Sequence, residues 1–117
     1  MQKDERIYLA HMLNAALETQ GYMKGKTYGD FEADSGLRRQ LERMVEIIGE
    51  AARLVPQPLR DAYPHIPWSA IVGMRNRIAH DYLNIDYKIL WETMALAIPT
   101  LIAELEKIVP PEMRAEP

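Results

Sequence analysis

The sequence predicts an all-α fold, an antiparallel helical bundle of four main helices plus a short connector helix. Three observations carry this. Apolar residues recur at three- and four-residue spacing over residues 4–20, 35–55 and 86–109, and over a shorter stretch beginning at Trp68. No segment shows the apolar–polar alternation of a half-buried strand. The connections are short or stiffened by proline, which favours antiparallel neighbours.

The 117 residues contain no long Gly/Ser or charged linker, so residues 1–117 read as one domain with material for a real core. Hydrophobic residues at 48% and charged residues at 26% place the chain with soluble globular proteins, away from disorder. With no cysteine, disulfides, thiolate zinc sites and cysteine nucleophiles are excluded. The first residues lack an apolar signal core, and no stretch approaches the roughly 18 apolar residues of a membrane span. A cytoplasmic protein without a membrane partner is therefore expected. The formal net charge of -3 argues against bulk electrostatic binding of nucleic acid, and no DNA partner is expected. A local basic patch can still hold phosphate.

The first helix covers residues 4–20, with Asp4 as N-cap, Ile7, Ala10, Leu13 and Leu17 as the buried stripe and Gly21 as terminator. Residues 21–34 carry Gly21, Gly25 and Gly29 among lysines and aspartates and read as a loop. The second helix, residues 35–55, is strongly amphipathic, with Leu37, Leu41, Met44, Ile48, Ala51 and Val55 on one face. Its other face mixes Arg38, Arg39, Arg43 and Arg53 with Glu42, Glu46 and Glu50 and reads as solvated rather than as an RNA track. Arg39–Glu42 and Arg43–Glu46 have the spacing to pair. Glu50 has a second option, to turn inward and hold Arg75.

Pro56, Pro58, Pro64 and Pro67 punctuate a connector that has room for a helical turn at residues 59–63. The helix after it ends near Leu83-Asn84. The last helix, residues 86–109, has Asp86 as cap and Leu90, Trp91, Met94, Ala97, Ile98, Leu101, Ile102, Leu105 and Ile108 inward. Pro99 is expected to kink it by removing a donor and crowding Ala95. The tail, residues 110–117, reads as frayed.

The stretch from Pro67 to Tyr82 carries the functional signal. At 100° per residue, Trp68, Ile71, Val72, Ala79 and Tyr82 form one stripe, and Arg75 falls in the middle of it. A guanidinium is costly to bury unpaired, so it requires a carboxylate, a partner chain or an anionic ligand. His80 lies about 140° round the helix from Arg75, so the two reach one small ligand only if the helix end bends or a second copy completes the site. Asn76 and His80 are i,i+4 neighbours able to share a ligand, whereas Arg77 and Asp81 read as an exposed ion pair. Trp68 and Trp91 read as packing, and by its position Tyr82 reads as core with a tethered hydroxyl.

His11, His65 and His80 lie far apart and no metal-ligand spacing is present, so neither a metal nor a cofactor is expected. Ser35 and Ser69 sit better as a helix cap and a first-turn residue than as nucleophiles. What remains is a histidine able to move a proton near neutral pH and arginines able to hold a phosphate. That set suffices to cleave RNA through the substrate's own 2′-hydroxyl.

Arg75-Asn76-Arg77-Ile78-Ala79-His80-Asp81-Tyr82 matches the Arg-x4-His-x-Tyr motif of the HEPN superfamily and resembles its HepT branch of minimal toxins. The resemblance extends to Ile48-Gly49-Glu50-Ala51-Ala52, Ile66-Pro67-Trp68, Ile85-Asp86 and Trp91. It implies a helical bundle that forms a homodimer, a metal-independent endoribonuclease acting on RNA, and a nucleotidyltransferase antitoxin as partner in a type VII-like pair. By the same resemblance Arg75 and His80 are catalytic, Asn76 is their polar helper and Tyr82 accepts AMP. The competing reading is a non-catalytic helical module that docks a nucleotidyltransferase or binds a nucleotide, since fold alone does not fix activity.

Overall fold

A computed structural model describes residues 4–114, which form helices, turns and loops with no strand among them. The long helices are α1 (Arg6–Met23), α3 (Ser35–Leu54), α5 (Trp68–His80) and α6 (Tyr87–Glu106). Two short helices, α2 (Tyr28–Ala33) and α4 (Gln57–Ala62), and two 3₁₀ turns, Tyr82–Asn84 and Pro111–Met113, complete the chain. The all-α bundle expected from the periodicity is present. α3 packs against both α1 and α5, and α1 packs in turn on α6. Leu9, Met12, Leu13, Leu41, Leu90 and Leu105 are essentially inaccessible and form its centre.

Local chemistry moves several boundaries. Asp4 lies one residue outside the first turn, where its carboxylate accepts the Arg6 backbone N–H at 3.0 Å and pairs with the Arg6 guanidinium at 2.8 Å. Gly21 does not end α1. A helical glycine costs only about 1 kcal/mol, and continuing to Met23 lets Tyr22 and Met23 pack on the core. The chain turns instead at Gly25, whose φ of 74° lies in the left-handed region. Leu17, expected inside, is 37% exposed.

Residues 21–34 are not all loop. Thr27 and Asp30 form a reciprocal cap: the Thr27 hydroxyl accepts the Asp30 N–H at 3.1 Å, and the Asp30 carboxylate accepts the Thr27 N–H at 2.8 Å. The helix thus started, α2, drives Phe31 into the core against Trp91, with ring centroids 5.2 Å apart. Asp34, rather than Ser35, caps α3 by accepting the Leu37 N–H at 3.1 Å.

Part of the arginine face of α3 is structural. Arg38 is half-buried, donates to the carbonyls of Phe31 and Glu32 at the end of α2, and lies 5.3 Å over the Tyr87 ring. Neither Arg39–Glu42 nor Arg43–Glu46 closes as an ion pair among the described residues. At the other end, Arg60 of α4 donates to the carbonyls of Ala52, Arg53 and Val55 at 3.0, 2.9 and 3.0 Å, satisfying acceptors that α3 leaves open. α6 is capped by Asp86 as expected, through the N–H groups of Lys88 and Ile89. It runs through Pro99 and ends at Glu106, with Ala97 exposed rather than inward. The tail is not frayed as far as Arg114, which folds back to donate to the Glu106 and Val109 carbonyls at 2.7 and 3.0 Å. Residues 115–117 of that tail lie outside the described residues. No helix among the described residues is long and apolar enough to cross a membrane.

Candidate active site

α5 starts where Pro67 ends the connector, and the Trp68 indole N–H pins its first turn to the Tyr63 carbonyl at 3.1 Å. Trp68 and Ile78 are buried; Ile71, Val72 and Met74 are half-buried against α3 and the core. Arg75 sits among them with its side chain only 27% exposed. It fits because position 49 has no side chain. A Cβ on Gly49 would stand 2.2 Å from the Arg75 Cβ, 2.7 Å from its Cγ and 3.3 Å from the Ile71 carbonyl oxygen. The glycine of α3 is therefore the channel for the arginine stem.

Two groups then aim the guanidinium. Nη1 donates to the Asn76 side-chain oxygen at 3.0 Å, and Nη2 stands 3.5 Å from Glu50 Oε2. Glu50 does turn toward Arg75, but its principal partner is Arg53, which grips both carboxylate oxygens at 2.7 and 3.1 Å. The Arg53 hydrogen bonds hold the Glu50 carboxyl below its ordinary value, and the charges of Arg53 and Arg75 act in the same direction against partial burial. The folded-state value being depressed, this contribution is complete above the ordinary glutamate range and lost as pH falls through the lowered value. Acidification into that range is expected to loosen Arg75 before the helices melt, which NMR of the arginine side-chain N–H signals during a pH titration would check. Beyond Glu50, Arg75 faces a depression of about 340 Å³ that it shares with Tyr8, His11, Arg43 and Glu46.

His80 closes α5 and is exposed, with no hydrogen bond among the described residues. It does not line the Arg75 depression. α5 is unbroken up to His80, so the separation of about 140° from Arg75 persists within one copy. No Asn76–His80 hydrogen bond forms among the described residues; the Asn76 side-chain oxygen accepts from Arg75 instead. Beyond His80 the helix stops: Asp81 takes φ −141° and ψ 38°, and its carboxylate accepts the Asn84 side-chain N–H at 2.6 Å. No Arg77–Asp81 ion pair forms among the described residues. Tyr82 consequently leaves the stripe and the helical face of Arg75. It is 64% exposed, and Leu83 beside it 83%; Ile78 fills the apolar face instead.

The Ribonuclease HepT-like family matches residues 12–108. The chain belongs to the HepT-like ribonuclease family. Two relatives carry names that begin "Putative RNase". One, from Caldanaerobacter subterraneus subsp. tengcongensis, is 36% identical over 110 residues, covering 94% of this chain and 98% of its own length. The other, from Methanocaldococcus jannaschii, is 32% identical over 108 residues, covering 92% of this chain and 89% of its own. A Thermococcus cleftensis protein named "Probable ribonuclease HepT" is 30% identical over 108 residues, covering 92% and 98%. No solved structure gives a significant match.

In this HepT-like chain, then, Arg75 and Asn76 come together, Glu50 joins them, and His80 and Tyr82 stand apart at the accessible end of α5. Gly49 and Arg53 are the residues that the sequence reading left without a role. The signal for Gly49 was present: a glycine well inside a helix, at the edge of its apolar face, where alanine is the better helix former, implies close approach of another element.

Proposed function

We propose that this HepT-like ribonuclease is a metal-independent endoribonuclease toxin of a type VII-like toxin–antitoxin pair. The observation that carries the reading is a guanidinium seated at Gly49 and aimed by Asn76 and Glu50, on the same helix as an unengaged imidazole, His80. In this reading His80 takes the proton of an RNA 2′-hydroxyl. The 2′-oxygen attacks the adjacent phosphorus, the bond to the 5′-oxygen breaks, and that oxygen takes up the proton that the imidazolium gives back. The products are a 2′,3′-cyclic phosphate and a 5′-hydroxyl. Arg75 stabilises the charge gathering on the phosphoryl oxygens, and Asn76 fixes the guanidinium and presents its own amide N–H groups outward. No water enters until the cyclic phosphate is opened.

The reading includes a homodimer with the two α5 helices facing across a two-fold axis, because Arg75 and His80 lie about 140° apart on one helix and a second copy is the way to bring both to one phosphate. An apolar groove of about 140 Å³ between α5 and α6, lined by Ile71, Met74, Met94 and Ile98, supports a partner on that side, as do the exposed Leu83 and Ile89. Sedimentation at micromolar concentration is expected to give a dimer; a monomer that cleaves RNA at full rate would remove this part of the reading.

Tyr82 supplies the control. In the proposed antitoxin reaction its phenol oxygen attacks the α-phosphorus of ATP, pyrophosphate leaves, and AMP remains on the tyrosine. Its exposure makes the hydroxyl accessible to a nucleotidyltransferase, and its place two residues after His80 sets the added phosphate and purine beside the imidazole rather than on the helical face of Arg75. Inhibition follows from occupancy and charge, with no change of fold. Co-expression with the cognate nucleotidyltransferase is expected to put AMP on the peptide containing Tyr82 and to silence the parent but not Tyr82→Phe. Mass spectrometry finding no adduct there, with toxicity still suppressed, would reject it.

A further inference from the structure

Arg53 looks at first like part of a solvated helix face, with its side chain 53% exposed. Its contacts assign it more. Its guanidinium meets the Glu50 carboxylate side-on, Nη2 to Oε1 at 2.7 Å and Nε to Oε2 at 3.1 Å. This is the two-bond fork in which a carboxylate and a guanidinium bind most strongly. The pair lies at i,i+3 on one helix, so it forms from local geometry alone. Arg75 approaches the same carboxylate from α5 and finds the fork position taken. It stands 3.5 Å from Oε2, beyond the usual length of an N–H···O bond, while its other terminal nitrogen is fixed by Asn76 at 3.0 Å.

We propose that Arg53 is a positioning residue that keeps Glu50 from capturing Arg75, so that the guanidinium is aimed by Glu50 yet remains available to an RNA phosphate. The proposal rests on the reading of Arg75 as the phosphate-holding group. Without Arg53, Glu50 is free to rotate into a fork on Arg75. A phosphate arriving at the site must then break a two-bond ion pair instead of displacing a loose contact. The opposite change, loss of the Glu50 charge, removes the competitor. Arg53 therefore acts through Glu50, and its loss is harmful only while Glu50 is charged.

The test measures binding of a fluorescein-labelled single-stranded RNA of mixed sequence, 2′-O-methylated so that it is bound and not cut, by anisotropy at fixed salt. Arg53→Gln is expected to weaken binding about two- to fivefold, the range that a partly exposed ion pair commands. Arg53→Lys, which keeps the charge but loses the fork, is expected to fall between the two. Adding Glu50→Gln to Arg53→Gln is expected to regain part of the lost affinity, because the competing charge is gone although Glu50 then no longer aims Arg75. Adding Glu46→Gln makes the same change in net charge from the same depression and is expected not to. A merely structural role for Arg53 predicts additive losses instead, and melting curves of each variant report those separately. Parental binding by Arg53→Gln, or equal rescue by Glu46→Gln, overturns the proposal. Arg75→Ala separates the two levels: if it binds the RNA like the parent, the functional reading of Arg75 fails as well. If it binds poorly while Arg53→Gln is unaffected, only the inference about Arg53 fails.

Discussion

His80→Ala is expected to lose RNA cleavage by about 10²–10⁴-fold, the usual contribution of a positioned general acid or base, while its helical content and melting temperature stay near those of the parent. The two halves of this expectation have different origins. His80 is exposed, ends α5, and makes no hydrogen bond among the described residues, so truncating it opens no cavity and orphans no partner. Its one stabilising role is as a cation at a helix C-terminus, worth about 0.3–1 kcal/mol and only while protonated. The imidazole has little work to do in the fold, and a large kinetic effect with a small thermal one is the signature of a group that acts on substrate. Cleavage and toxicity that survive this substitution would favour the non-catalytic module.

Gly49→Ala is expected to do the reverse, lowering both stability and activity. Elsewhere in a helix the change from glycine to alanine is favourable by about 1 kcal/mol. At position 49 the added methyl would occupy space that the Arg75 Cβ and Cγ fill, at 2.2 and 2.7 Å, with the Ile71 carbonyl 3.3 Å away. These are the root of the side chain and backbone of α5, not a mobile tip, so α3 and α5 must separate or Arg75 must leave. Overpacking of this kind costs about 1–3 kcal/mol, and the displaced guanidinium loses its aim from Asn76 and Glu50. The expected outcome is a lower melting temperature together with at least about a tenfold loss of cleavage, since a misplacement of about 1 Å can cost 10²-fold. Gly21→Ala is the internal control. Nothing lies within 4 Å of the position its Cβ would take, so thermal denaturation is expected to show a gain of about 0.5–1 kcal/mol. If Gly49→Ala behaved like Gly21→Ala, the seat described for Arg75 would be wrong.

The long helices were legible because their apolar residues repeat over many turns: α3 and α6 lie within a few residues of their expected limits, and Asp86 caps α6 as its position suggested. Arg75 stood out for the same reason, as a guanidinium in an apolar stripe, and its Glu50 contact was one of the options that spacing allowed. What periodicity could not show is where it stops. α2 is a single capped turn stabilised by Phe31 entering the core, a tertiary term with no period of its own. Gly21 reads as a terminator until Tyr22 and Met23 are seen to pack beyond it. Tyr82 belongs to the Arg75 face only if the helix continues past His80, and the Asp81–Asn84 side-chain bond ends it there. Arg38, Arg60 and Arg114 look alike as solvated charges in sequence, yet each closes a helix end through backbone carbonyls.

In the proposed reaction the chain cleaves RNA by activating the substrate's own 2′-hydroxyl with Arg75 and His80. This is tested most directly by incubating the purified protein in chelator with an end-labelled RNA that it cuts, beside the same RNA carrying a single 2′-deoxy nucleotide 5′ to the cut. The all-ribose strand is expected to be cut to a 2′,3′-cyclic phosphate and a 5′-hydroxyl, with no cut at the deoxy position. Cleavage of the deoxy strand at that position, or a 5′-phosphate on the downstream product, would contradict it.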